Sequence, residues 1–108
     1  MQTAKNLRLV LVTAPDSETA RKLATSVLKA KLAACVNLVP GLESHYWWQG
    51  KLDHSAEVLL LLKTNVRRLP ALERLLLQLH PYETPEIIAL PVLTATARYR
   101  HWWLASLQ

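Results

Sequence analysis

The stretch Trp47-Trp48-Gln49-Gly50-Lys51-Leu52 sits at the middle of a longer run, Ala33 to Thr64, that reads as a single β-hairpin. Gly50 supplies the positive φ that a tight turn demands, and the loop around it has either two residues or three. A change of one residue in the loop moves every cross-strand partner, so the sequence assigns no pairs. The second arm ends in Val58-Leu59-Leu60-Leu61-Leu62, apolar on both faces, which places that strand in the middle of a sheet. The first arm is interrupted by Pro40-Gly41, a pair that bends or bulges a strand and is tolerated mainly at an edge. The first arm is therefore the outer one.

Working outward, Leu7-Arg8-Leu9-Val10-Leu11-Val12 is short and nearly continuous in apolarity, as a buried strand is. Asp16 or Ser17 caps the helix that follows, whose Ala20, Leu23, Ala24, Val27 and Leu28 share one face. That helix stops near Lys31 or Leu32 and delivers the chain to the hairpin. Beyond the hairpin, Asn65 caps a second helix with a stripe of Leu69, Leu72, Leu75, Leu76 and Leu79, and Pro70 must fall in its first turn. His80-Pro81-Tyr82-Glu83-Thr84-Pro85-Glu86 is a stiff connector, because each proline removes a donor and disfavours helix at the residue before it. Pro91 limits the strand Ile87–Val92 to an edge or an end, and Thr94 or Thr96 opens a terminal helix carrying Tyr99, Trp102 and Trp103. The order β-α-β-β-α-β plus one helix predicts a single α+β domain over residues 1–108, a ferredoxin-like sandwich with two helices on one sheet face.

Composition narrows the function classes. A chain of 108 residues with one cysteine forms no internal disulfide, and Met1-Gln2-Thr3-Ala4-Lys5 has no apolar signal core, so a reducing cytoplasm is expected. The longest apolar run, Val58–Leu62, is far short of the roughly 20 residues of a membrane helix, and no membrane partner is expected. Lys and Arg exceed Asp and Glu by 13 to 8, giving a net +5, but they are dispersed over three helices instead of forming a stripe. No nucleic-acid partner is expected. The two-faced strand raises a further requirement. Two helices bury Val58, Leu60 and Leu62 or Leu59 and Leu61, but not both sets; the terminal helix could cover the remainder within the chain, but its aromatics and the aromatic hairpin tip better suit contacts between subunits of a homo-oligomer.

Five blocks carry a family resemblance. They are Val10-Leu11-Val12-Thr13-Ala14-Pro15-Asp16, Lys31-Leu32-Ala33-Ala34-Cys35-Val36-Asn37, Tyr46-Trp47-Trp48-Gln49-Gly50-Lys51, Leu62-Lys63-Thr64 and His80-Pro81-Tyr82-Glu83-Thr84-Pro85-Glu86. In this order they resemble the CutA divalent-cation tolerance family. The resemblance implies a ferredoxin-like subunit in a tight homotrimer, similar in plan to the PII signalling proteins, with hairpins wrapping neighbouring subunits. It also implies a link to copper and other divalent-metal tolerance, and no settled enzymatic activity.

Some members of that family carry a cysteine in the first strand and two adjacent histidines before the Pro-Tyr motif, a donor set suited to copper. The matching positions here are Val12, Leu79 and His80, so only His80 remains as a metal ligand. No cofactor is required, and a divalent cation such as copper is expected to bind weakly. His45, His54 and His101 show no helical pair spacing and read as exposed or structural. In a trimer of the family's kind, Cys35, Trp48, Lys63, Tyr82 and Glu86 converge near the clefts between subunits and could bind an unknown small molecule. The alternative is that Lys63 and Glu86 simply pair. Cys35 and His80 are the only nucleophile and base with any case for chemistry, and no motif brings them together. Glu57 stands among apolar neighbours with no partner visible in the sequence.

Overall fold

The computed structural model describes residues 1–108. In chain order it contains β1 (Gln2–Thr3), β2 (Leu7–Ala14), α1 (Ser17–Lys29), β3 (Cys35–Trp48), β4 (Lys51–Asn65), a 3-10 turn (Val66–Arg68), α2 (Leu69–Leu79), β5 (Ile87–Pro91), β6 (Thr94–Ala95) and α3 (Ala97–Ser106). Four strands form one antiparallel sheet in the order β3-β4-β2-β5. This is the α+β, ferredoxin-like arrangement, with β4 in mid-sheet and β3 and β5 at the edges. The Pro40-Gly41 interruption and Pro91 thus both lie on edge strands, where a missing donor leaves no ladder bond broken.

Local chemistry explains the boundaries. Asp16 caps α1, its carboxylate accepting from the Thr19 amide at 2.7 Å. The helix ends without a glycine. Lys31 takes the left-handed position at φ 60°, and the Leu32 amide returns to the Val27 carbonyl at 2.9 Å, closing the last turn. The Asn65 side chain accepts from the Arg68 amide, so it caps the 3-10 turn that leads into α2, with Pro70 in the first turn of that helix. One face of the sheet is sealed by α1 and α2. Val10, Val12, Leu60 and Leu62 meet Leu23 and Val27 from α1 and Leu72 and Leu76 from α2. Each such aliphatic side chain, removed from water, contributes about 1.5–3 kcal/mol.

The hairpin settles the register that the sequence left open. Gln49 and Gly50 both have positive φ, 51° and 77°, the signature of a two-residue type I′ turn, and Trp48 faces Lys51. Nearer the base, Val39 faces Leu59 whereas Leu42 faces Glu57, so Pro40 and Gly41 together oppose one β4 position. This one-residue bulge puts Gly41 at φ 80°.

Two features depart from the sequence reading. Thr94 does not open the last helix. With Ala95 it pairs β1, Thr3 opposite Thr94, and Thr96 stands at the helix start without a side-chain cap bond. Of the three aromatics assigned to contacts between subunits, Trp103 turns inward and is only 4% exposed. It packs with Ala4, Leu7 and Leu107, and its indole N–H donates to the Thr64 carbonyl at 3.0 Å. The amphipathic indole needs one partner for its N–H, and the sheet end supplies it. Tyr99 and Trp102 remain outside. The second sheet face therefore keeps α3 only at its Leu7 end, and Leu9, Leu11, Leu59, Leu61, Ile88 and Leu90 line the rest, part-exposed or exposed.

Candidate functional site

The residues singled out in the sequence fall into two clusters along β4, one at its Lys63 end and one at its middle, around Glu57. At one end, register places Cys35 beside Lys63 and Lys63 beside Leu9 on the second sheet face. The Lys63 ammonium donates to the Tyr99 hydroxyl at 2.9 Å, lies 5.1 Å from the Tyr99 ring centre and reaches the Cys35 sulfur at 3.9 Å. Partial burial draws the Lys63 pKa down, but the Tyr99 and Cys35 contacts outweigh it and hold it above its ordinary value. No carboxylate neutralises Lys63 within the chain: the ion pair is Glu18 with Lys22, and Glu43 is engaged by His45.

The mid-strand cluster, just beyond the end of β2, is built from the connector after α2. His80, 7% exposed, has both ring nitrogens engaged. Nε2–H donates to the Thr13 carbonyl at 2.8 Å, and Nδ1 accepts from the Tyr82 amide at 3.1 Å. A carbonyl only accepts and an amide N–H only donates, so these bonds select the neutral Nε2–H tautomer. Tyr82 crosses the His80 ring, 4.8 Å between centres, and its hydroxyl donates to Glu57 at 2.8 Å. That bond answers the puzzle of Glu57, a carboxyl 8% exposed on an apolar strand. Burial first, and then the Glu57 carboxylate, push the Tyr82 phenol well above its ordinary range.

Glu57 and Lys63 stand six positions apart on β4, about 20 Å of extended strand. One subunit therefore does not assemble Lys63 with Tyr82, nor does it pair Lys63 with Glu86, which is exposed. Trp48 lies at the hairpin tip, 45% exposed, where Trp47 and Leu52 face each other at 71% exposure each. Cys35 and His80 belong to different clusters, so no nucleophile–base pair forms within the chain. No three His, Cys, Asp or Glu side chains converge on one point. Sequence reasoning missed Tyr99 as the partner of Lys63. Only the packing of α3 brings them together, and no local spacing encodes it.

Comparison with known proteins gives a consistent picture. Residues 8–106 match the family described as CutA1 divalent ion tolerance protein. The chain is 49% identical over 100 residues to the divalent-cation tolerance protein CutA of Escherichia coli (strain K12 / DH10B), covering 93% of this chain and 89% of that one. It is 47% identical over 94 residues to the chloroplastic Protein CutA 1 of Oryza sativa subsp. japonica, covering 87% of this chain and 53% of that protein, so it spans about half that relative's length. The structure of CutA from Synechococcus elongatus PCC7942 superposes with a TM-score of 0.93 at 37% identity, covering 98% of this chain and 94% of that one.

Proposed function

Because this chain belongs to the CutA1 divalent ion tolerance family, we propose that it is a divalent-cation tolerance protein working as a cytoplasmic homotrimer. The observation that carries the assembly is the second sheet face. Leu59 and Leu61 on a central strand, with Ile88 and Leu90 beside them, have no covering layer of their own chain, and Trp47, Trp48 and Leu52 stand exposed at the hairpin tip. The single free cysteine suits a reducing compartment. Native mass spectrometry at micromolar subunit concentration is expected to give three chains, and a monomer overturns the assembly. Loss of the protein from its host is expected to lower growth in added copper, restored by the wild type. Unchanged growth overturns the tolerance role.

His80 is the metal contact this reading assigns, and it makes a weak one. A cation reaching Nδ1 must displace the Tyr82 amide, and no second side-chain donor stands ready.

A second reading, a small-molecule sensor with its pocket between subunits, rests on the unneutralised Lys63. With Lys63 and Cys35 on one subunit and Tyr82, Glu86 and the Trp48 tip contributed by a neighbour, a cation, a carboxylate and aromatic walls would line one cleft. An assembled structure with Lys63 and Glu86 bonded directly to each other would exclude this pocket.

A further inference from the structure

Once the turn is fixed at two residues, His45 and His54 stand directly opposite each other on the outer part of the hairpin. The pair Trp48 and Lys51 closes the turn with mutual hydrogen bonds. Pairs then alternate along the ladder, which makes His45 and His54 a non-hydrogen-bonded pair, the type whose side chains stand closest. Their imidazoles stack with centres 5.5 Å apart and planes inclined by 25°. Glu43, two positions back on the same face of β3, accepts from His45 Nε2–H at 2.7 Å. An ionised carboxylate only accepts, so this bond fixes the Nε2–H tautomer and leaves the Nδ1 lone pair of His45 uncommitted. A carboxylate on one imidazole nitrogen, with the other nitrogen free, is the arrangement that orients histidine ligands and raises their basicity.

We propose that His45 and His54 form a two-imidazole, cross-strand site for a borderline divalent cation, copper(II) ahead of zinc(II), with Glu43 orienting His45. His45 binds through Nδ1 and His54 through a ring nitrogen, and water completes the shell, because no third side-chain donor converges there. Nitrogen–metal distances of about 2.0–2.1 Å require the stacked rings to turn about their side-chain torsions. Exposed side chains make such turns freely, and the His45 and Glu43 side chains are 64% and 77% exposed. In the single subunit an aqueous ion therefore reaches the site without any opening of the core. The two histidines lack helical spacing, and the sequence signal that joins them is the turn: a two-residue loop at Gln49-Gly50 puts position 45 opposite 54. The site is separate from His80 and does not rest on the family's tolerance role.

The test is titration of copper(II) alone into the full-length protein, followed by calorimetry and electron paramagnetic resonance, for wild type, His54→Asn, Glu43→Gln and His80→Ala. The wild type is expected to bind one copper per chain at this site with two imidazole nitrogens in the spectrum. His54→Asn is expected to leave one nitrogen and weaken binding at least tenfold, and Glu43→Gln to weaken it about tenfold. His80→Ala is expected to leave this event unchanged. Unaltered affinity and nitrogen pattern in His54→Asn overturn the site, as does loss of the same event in His80→Ala. Circular dichroism checks that each variant keeps its fold.

Discussion

Tyr82→Phe isolates the one polar bond on which Glu57 depends. The change removes a hydroxyl and leaves ring volume and the tilted contact with His80 in place, so the packing loss is small. What remains is a carboxylate 8% exposed that has lost its donor. Hydrogen bonds to charged groups contribute about 1.5–3 kcal/mol, so a loss of about 2 kcal/mol is expected in urea unfolding at fixed subunit concentration. Glu57→Gln keeps a side chain of similar shape without the charge, and the double variant closes a cycle whose coupling should be about 1 kcal/mol or more. The pH dependence has a definite sign. The folded phenol sits above the unfolded tyrosine value near 10, so its stabilising contribution is complete below about pH 10 and declines as pH rises beyond that. The gap between wild type and Tyr82→Phe should therefore narrow above pH 10. Equal stabilities at pH 7, or a gap that widens with alkali, would refute this account of Glu57.

Trp48→Ala should weaken assembly by about 2 kcal/mol or more per interface, seen as a rise in the subunit concentration at which trimers dissociate in light scattering. An unchanged dissociation profile would place the tip outside the interface. Gly50→Ala should cost about 1–2 kcal/mol in chemical unfolding, because φ is +77° there while an added Cβ meets nothing within 4 Å, so the whole penalty is backbone conformation. Asp16→Ala should lower the midpoint of chemical unfolding through loss of the α1 cap. The Thr19 amide holds the Asp16 carboxyl below its ordinary pKa, so the cap's contribution is present above about pH 4 and is lost as pH falls further. The Ala variant should lack that acid-dependent part.

Much of the fold was legible because its signals are local. The caps at Asp16 and Asn65, the leucine stripe of α2 and the two-sided apolarity of Val58–Leu62 each act within a few residues, and each predicts an element that is present. The β1–β6 pairing was not legible, since two-residue strands leave no periodicity to read. The faces of β3 were hidden for a different reason. Alternation carried through Pro40-Gly41 would put Leu38 and Leu42 on the same side, whereas the bulge moves Leu42 to the side of Leu59 and Leu61. The candidate site was legible residue by residue but not as geometry. Tyr82 was marked by its motif and Glu57 by its oddness, and only the return of the connector to the middle of β4 joins them. Lys63 meets Tyr99 across 36 positions of sequence, through a helix whose docking rests on Trp103 and Leu107.

The bulge also separates two properties that a hairpin normally ties together, which residues meet and where the arm points. Removing Gly41 would leave equal arms above Val39 and Leu59, so Leu42 would still find Glu57 and Trp48 would still find Lys51. Only the added bend and twist would disappear. A one-residue deletion at this point is thus a steering change that spares the pairing. It would swing a tip carried on strands of 14 and 15 residues, in a subunit 44 Å long, with a lever arm far greater than the bulge itself. In the proposed trimer, a folded subunit that no longer reaches its neighbour would be the mark of that change, and length variation at this position would retune the contact between subunits while leaving each subunit's core intact.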